Sequence, residues 1–217
     1  DDVESRGLGD VYKRQIITPA NGKYKKTLFI DFAIHGFEDD YARDGQRLTA
    51  IANHLIAHFA SHPKELGNYR LVIVPCANPD GAIAGKNAQR SGKNAFGRCT
   101  AAHIDINRDF GPFKGKETRA LRDFILRSKP NVYINAHGWL NETLGTKKLC
   151  QIVNRTLHLN KMKDGVYAAN EGYAIGWVHK KLNIPCCLLE YKAPNALHTK
   201  DNAVSYTHLR AHETRRH

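Results

Sequence analysis

The stretch Thr27–Glu38, TLFIDFAIHGFE, joins a nearly continuous apolar run to a short polar turn. Its first part, Thr27–Ile34, has the length and composition typical of a strand buried on both faces. His35 and Glu38 follow directly, and Gly36 between them allows the chain to bend sharply. The stretch therefore predicts a buried strand that ends in an imidazole and a carboxylate.

Strands and helices alternate along the rest of the chain. Three more apolar runs have strand length, namely Arg70–Pro75, Asn131–Ala136 and Ile184–Glu190. Helical spacing of apolar residues occurs in three segments, namely 44–59 with Asp44 as the expected N-cap, Glu117–Arg127 and Ala168–Leu182. Asn78–Gly81 is expected to form a turn, and Gly85–Ala102 a long loop. This alternation predicts an α/β fold with a mixed, mostly parallel central sheet and helices on both faces.

The two ends of the chain differ in character from the middle. The strings GDVYKRQ near the start and VSYTHLRAHETRRH at the end resemble translated adapter or linker sequence. We therefore expect residues 1–15 to be a non-native leader and residues 204–217 a non-native tail. Residues 16–203 would then form one domain that lacks part of its native chain at both ends.

Composition excludes several classes of protein. The formal charge is +12, but the basic residues are scattered and cluster at most in pairs, so we expect no nucleic-acid partner. No apolar run reaches the roughly 18 residues of a membrane span, so we expect no membrane partner. Five cysteines without a CxxC motif favour free thiols, with Cys186 and Cys187 on opposite faces of a strand. Free thiols favour the cytoplasm, although a missing native leader leaves secretion open.

Chemically active side chains follow the ends of the predicted strands. His35 and Glu38 follow the first strand, His137 follows the third, and Glu190 ends the fourth. Because ligands bind at the carboxyl ends of parallel strands, we expect these side chains to lie close together. A lone histidine after a strand is more often structural, but two histidines and a glutamate together form a known zinc-ligand set.

Four motifs occur in a fixed order along the chain. They are HGFE at His35–Glu38, DINRDF at Asp105–Phe110, the single His137, and LEY at Leu189–Tyr191. Together they resemble the ordered motifs of the zinc carboxypeptidase family, the M14 metallopeptidases. The resemblance extends from Leu28 to Tyr191 and implies that residues 16–203 are a partial zinc peptidase domain of zinc carboxypeptidase-like fold.

The resemblance also implies a cofactor and catalytic roles. One zinc ion per chain would be held by His35, Glu38 and His137. Glu190 would act as the catalytic base, and Asp105 would accept a hydrogen bond from the ring of His35 and so orient it.

Further residues acquire roles in substrate binding from the same resemblance. Asn107 and Arg108 would bind the terminal carboxylate of a peptide substrate. Arg98 would polarise the scissile carbonyl, with Arg90 as the alternative. A tyrosine would cover the substrate, either Tyr167, which the spacing favours, or Tyr173.

The implied reaction is zinc-dependent hydrolysis of a peptide bond near a free C-terminal carboxylate. The strings HGFEDDYARDG and GRCTAAHIDINRDF resemble bacterial members that cleave murein peptides, which makes cell-wall peptides the expected substrate. Two alternatives remain, an N-acyl amino acid deacylase of the aspartoacylase or succinylglutamate desuccinylase type, and an inactive relative that only binds. Nothing in the sequence indicates an oligomeric state.

Overall fold

The computed structural model describes residues 14–85, 96–164 and 172–193. The strands in these ranges are β1 (Gln15–Ile17), β2 (Lys26–Phe32), β3 (Tyr69–Val74), β4 (Val132–Gly145), β5 (Lys161–Asp164) and β6 (Cys186–Lys192). The helices are α1 (Asp44–Ser61), α2 (Pro79–Ala84), α3 (Lys116–Ser128), α4 (Lys147–Leu157) and α5 (Ala174–Leu182). Among the described residues, no helix combines the length and the apolar character needed to cross a membrane.

The strands form one mixed sheet in which β4 is central. The order runs β1, β3, β2, β4, and β4 pairs with both β6 and β5 on its other side. β1 is antiparallel to its neighbour, β3, whereas β2 is parallel to β3 and to β4, and β4 is parallel to β5. The first half of β4 is parallel to β6, and its residues 142–145 run back along β6 in the opposite direction. The predicted mixed, mostly parallel sheet is therefore confirmed.

Helices cover both faces of the sheet, as expected. Helices α1 and α4 bury one apolar cluster against it, and α3 and α5 bury a second cluster on the opposite face. Cys187 belongs to the first cluster and Cys186 to the second, which confirms that the adjacent cysteines point to opposite faces. None of the five cysteines, all of which lie in the described residues, forms a disulfide bond.

The first predicted strand is confirmed, but it ends two residues early. β2 stops at Phe32 because Ala33 has a positive φ of 49°, a left-handed conformation that cannot continue a strand. The Phe32 carbonyl then accepts a hydrogen bond from Ala77 N at 2.8 Å. This break turns the chain out of the sheet just before His35.

Two predictions about the residues at the starts of α1 and α2 are wrong. Arg43, and not Asp44, occupies the N-cap of α1, because the Asp44 carboxylate accepts hydrogen bonds from the preceding loop instead. Asn78–Gly81 does not form an isolated turn. Asn78 accepts a hydrogen bond from Gly81 N at 3.1 Å and so caps α2, which begins at Pro79.

The region from Asn131 onward also differs from the prediction. β4 continues past Ala136 to Gly145, and α4 and β5 were not predicted. β5 was not predicted because its sequence, KMKD, contains no apolar run. Helix α5 begins at Ala174 instead of Ala168, because Gly172 has a positive φ of 101°. Residues 86–95 of the predicted loop and residues 168–171 of the predicted helix lie outside the described ranges.

Candidate metal centre

The sheet brings together three side chains that can bind a metal. His35 and Glu38 lie in the loop after β2, and His137 lies in β4, the strand beside β2. Each offers one ligand atom, and these atoms all lie within 4.8 Å of one another. Both histidines are almost completely buried, with 3% of His35 and 1% of His137 exposed.

The two histidines face Glu38 through the same kind of ring atom. His35 Nδ1 lies 2.8 Å from Glu38 Oε2, and His137 Nδ1 lies 2.9 Å from Glu38 Oε1. The two rings meet edge to face with their centroids 4.9 Å apart. The Nδ1 atoms and the Glu38 carboxylate therefore surround one point.

The outward-facing nitrogen of each ring has its own partner. His35 Nε2 lies 3.0 Å from Asp105 Oδ1, an oxygen that also accepts a hydrogen bond from Asn107 N at 2.9 Å. His137 Nε2 lies 2.7 Å from Asn135 Oδ1. Sequence analysis missed Asn135, although side chains two residues apart on a strand point to the same face.

This arrangement fits zinc. Two imidazoles and one carboxylate are a ligand set that zinc accepts with an open fourth position. A ring that donates its Nε2 proton outward keeps a lone pair on Nδ1, and both rings have an outward acceptor. The donors and their outer partners are thus arranged as a zinc site requires.

Charge is balanced within this buried cluster. Burial raises the pKa of Glu38, but the neighbouring His35 and His137 outweigh it and hold that pKa well below its usual value. Asp105 behaves likewise, since its hydrogen bond with His35 and the charges of His35 and Arg98 overcome burial and lower its pKa to about 2. Both carboxylates are therefore ionised at neutral pH.

Arg98 and Glu190 lie next to this cluster. Arg98 Nη1 is 3.6 Å from Glu38 Oε2, and its Nε is 3.9 Å from Asp105 Oδ2. Glu190 pairs in register with His137 across β6 and β4. Burial and the charge of Glu38 raise the pKa of Glu190 well above its usual value.

The predicted location of His137 and Glu190 at strand ends is wrong. β4 continues eight residues beyond His137, and β6 continues to Lys192. β4 extends because its residues 142–145, after register shifts that begin at Trp139, run back along β6 and pair with its residues from Glu190 to Cys187. Both side chains therefore lie within the sheet.

Asn107 and Arg108 lie in the 3-10 turn Ile106–Arg108. Asn107 is buried, and its Oδ1 accepts a hydrogen bond from Ala174 N at 2.9 Å. Arg108 is exposed, and its guanidinium carbon lies 4.0 Å from the ring centroid of Tyr173. The exposed guanidinium is available to a ligand, whereas the Asn107 oxygen is occupied by the start of α5.

Arg90 and Tyr167 were each one of two candidates for their roles in substrate binding. Arg90 and Tyr167 lie outside the described residues. Their alternatives, Arg98 and Tyr173, are described. Arg98 adjoins Glu38, and Tyr173 stacks on Arg108.

The sequence is similar to known proteins over most of its length. Residues 11–144 match the family described as zinc carboxypeptidase, Peptidase_M14. A curated relative, bacteriocin BCN5 of Clostridium perfringens, is 30% identical over 208 residues, which cover 86% of this chain and 22% of the relative. The chain thus spans about a fifth of that relative's length.

Solved structures of similar fold are carboxypeptidases and an amidase. A metallo-carboxypeptidase from Burkholderia cenocepacia matches with a TM-score of 0.65 and 16% identity, over 93% of this chain and 60% of that one. The murein-tripeptide amidase MpaA from Escherichia coli O157 matches with a TM-score of 0.61 and 19% identity, over 92% of this chain and 85% of that one. At these identities the likeness shows the fold alone.

Proposed function

This chain belongs to the zinc carboxypeptidase family, and on that premise we propose that it is a zinc-dependent peptidase acting near a free C-terminal carboxylate. The observation that carries the proposal is the cluster of His35, Glu38 and His137, whose ligand atoms lie within 4.8 Å of one another. These three residues would hold the metal. Zinc in such a site supplies polarisation of a carbonyl group and acidification of a water molecule.

Glu190 is the proposed proton carrier. Burial and the charge of Glu38 raise its pKa, so its ionised form accepts a proton more readily than an ordinary carboxylate does. A positive metal ion held by His35, Glu38 and His137 would oppose that rise and favour the ionised form. Glu190 Oε2 would take the proton of the attacking water and pass it to the leaving amine. Burial beside Glu38 keeps other water away from that oxygen.

Two arginines suit the charges of a peptide substrate. Arg98, adjacent to Glu38, would donate hydrogen bonds to the scissile carbonyl oxygen as negative charge develops there. Arg108 would bind the terminal carboxylate, since its planar guanidinium can donate two parallel hydrogen bonds. The ring of Tyr173 beneath it would hold the guanidinium in place.

The proposed substrates are short acidic peptides of the bacterial cell wall. One structure of the same fold is named as a murein-tripeptide amidase, and the segments around His35 and Asn107 resemble members that cleave murein peptides. A formal charge of +12 favours approach of acidic peptides. Ordinary peptides with a free C-terminus are the alternative substrates, because the proposed zinc chemistry would act on them in the same way.

The first experiment tests the metal. The purified full chain is loaded with zinc, dialysed at neutral pH and analysed for metal content, beside His137→Ala and a control, His58→Ala, in which a half-buried histidine paired with Glu65 is removed. We expect about one zinc per chain in the parent and the control, and none in His137→Ala. Absence of stoichiometric zinc from the parent would reject the metal site. It would favour the alternative that the chain is an inactive relative acting only as a binding module.

The second experiment tests the reaction. Zinc-loaded protein is incubated with a murein tripeptide, with standard peptides bearing a free C-terminus, and with N-acetyl and N-succinyl amino acids. Cleavage of the tripeptide supports the cell-wall proposal, and cleavage of only the standard peptides rejects it while keeping the peptidase. Turnover of only the N-acyl amino acids would identify a deacylase instead.

A further inference from the structure

The Nε2 atom of His137 controls whether this ring can bind a metal. A neutral imidazole carries one proton, so one ring nitrogen is a donor and the other has a free lone pair. His137 Nδ1 faces Glu38 in the metal cluster. It can therefore act as a ligand only if the proton resides on Nε2.

Asn135 provides the nearest contact of Nε2. Its side-chain oxygen lies 2.7 Å away and can accept the Nε2 proton. If the amide were turned over, its NH₂ group would face Nε2, and the histidine proton would have to move to Nδ1. The orientation of one amide therefore determines which nitrogen is available to the metal. Asn107 Nδ2 is also near, but at 3.4 Å it is the weaker contact.

Asp31 determines that orientation. The Asn135 NH₂ group donates a hydrogen bond to Asp31 Oδ1, and a carboxylate that is ionised, as at the pH 8 of the experiment below, can only accept. Turning the amide over would place two oxygens against each other. Asp31 and Asn135 are register partners on β2 and β4, and neither has any exposed surface. Neither side chain can thus turn to water for a substitute partner.

A neutral acceptor suits this position. His35 is held by a carboxylate, Asp105, and Glu38 already brings negative charge to the cluster. A second carboxylate directly on His137 would add to this repulsion. An amide holds the ring without adding charge, while the carboxylate that orients it lies one residue further away.

We propose that Asn135, oriented by Asp31, is a positioning residue that keeps the proton of His137 on Nε2 and so presents Nδ1 to zinc. The proposal rests on the zinc-dependent function proposed above. It makes Asp31, Asn135 and His137 one hydrogen-bonded chain that runs from the centre of the sheet to the metal.

The test measures zinc affinity with variants of this chain. Zinc is titrated into the metal-free full-length protein at pH 8 against a chromophoric chelator, and folding is checked by circular dichroism. The variants are Asn135→Leu, Asn135→Asp, and the exchange Asp31→Asn with Asn135→Asp. The control is Thr143→Val, which removes a buried hydrogen bond of 2.6 Å to Asn154 from the same strand.

Asn135→Leu is expected to weaken zinc binding about 10- to 100-fold, the usual effect of losing the partner of a metal-binding histidine. Asn135→Asp alone places two carboxylates in contact and should weaken binding as well. The exchanged double variant restores an amide–carboxylate pair with an acceptor toward His137, so its affinity should be clearly higher than that of Asn135→Asp, although the carboxylate placed on His137 should keep it below the parent's. Thr143→Val should lower the melting temperature without changing zinc affinity.

Two results would overturn the proposal, and they differ from failure of the function. If Asn135→Leu binds zinc as tightly as Thr143→Val does, Asn135 has only a structural role. If the exchange fails to recover affinity while the protein remains folded, the orientation of the amide is not what matters. If the parent itself binds no zinc, the proposed function fails and this inference fails with it.

Discussion

Glu190 Oε2 is buried and has no hydrogen-bond partner among the residues that the structure describes. Leaving a buried carboxylate oxygen without a partner costs roughly 1–3 kcal/mol or more, which folding alone does not require. Glu117 Oε2 and Asp31 Oδ2 share this property, so the missing partner alone does not mark a catalytic group. What distinguishes Glu190 is that it also lies beside His137 in the register of β6 on β4.

Glu190→Gln should abolish proton transfer while preserving the fold. We expect kcat to fall about 10²- to 10⁴-fold, because the amide cannot accept a proton, with zinc content unchanged. Steady-state kinetics on the best substrate and metal analysis provide the measurements. Glu117→Gln, the same change at a buried glutamate in α3, serves as the control and should keep full activity. Equal activity of the two variants would rule out Glu190 as the base.

Asp31 should make the stability of the metal-free protein depend on pH. Burial raises its pKa to about 7, against the lowering effects of Tyr133 and Asn135. Between the ordinary value of 3.8 and about 7, the unfolded chain binds fewer protons than the folded one. The free energy of unfolding therefore falls as pH rises through this range, by at most about 1.4 kcal/mol per pH unit.

Urea denaturation at pH 5 and pH 8, with a chelator present, measures this effect. Asp31→Asn removes the titrating group, so the variant should gain stability relative to the parent as pH rises. A difference between the two proteins that stays constant with pH would show that Asp31 keeps an ordinary pKa.

At the scale of elements, the loop between β2 and α1 carries two of the three proposed ligands. Asp44 holds it, because its Oδ1 accepts a hydrogen bond from Glu38 N and its Oδ2 one from Asp40 N, both at 2.9 Å. A residue that sequence analysis assigned to capping α1 thus shapes the metal loop instead.

Asp44→Asn should loosen this loop. An amide has only one acceptor oxygen, so the hydrogen bonds accepted by either Oδ1 or Oδ2 are lost, at a cost of about 1–2 kcal/mol in unfolding free energy. Zinc affinity should also fall, because Glu38 is no longer fixed. Thermal denaturation and chelator competition measure the two effects, and Asp40→Asn on the exposed surface is the control. A loss of stability without any loss of zinc affinity would show that Asp44 does not influence the metal site.

The sequence predicts some elements well because their pattern is local. The apolar runs at β2, β3 and β6 and the helical spacing of α1 and α3 identify these elements within a few residues. The second half of β4 was missed because its pairing with β5 and β6 depends on distant residues. β5 itself, KMKD, is stabilised by the strand beside it and not by its own composition.

The candidate site was predictable in its donors but not in its supports. His35, Glu38 and His137 are identified by motif and order, and the structure brings them together. The Asn135 contact needs the register of β2 on β4, which no local pattern contains. Gly36 was attributed to a sharp bend, yet its role is close packing, since a Cβ there would lie 2.2 Å from Ala82 N.

At the scale of the whole molecule, the site joins parts of the chain that are distant in sequence. His35, Asp105, His137 and Glu190 come from four separate segments around one point. A ligand that binds only this assembled arrangement stabilises the entire fold.

Zinc should therefore raise the melting temperature. At a free concentration 100 times the dissociation constant, the gain is about 2.7 kcal/mol, which corresponds to several degrees for a chain of this size. Differential scanning fluorimetry with zinc and with chelator measures the shift. His137→Ala should show no shift, and an equal shift in that variant would mean that zinc binds elsewhere.

β4 is paired on both sides along most of its length, with β2 and β6 in its first half and with β6 and β5 in its second. The amide hydrogens of residues 133–136, which precede His137 and are paired on both sides, should consequently exchange with deuterium only when the sheet itself opens. The loop carrying His35 and Glu38 lies outside the sheet and should exchange sooner. Of the three proposed ligands, His137 would then be the most rigidly held.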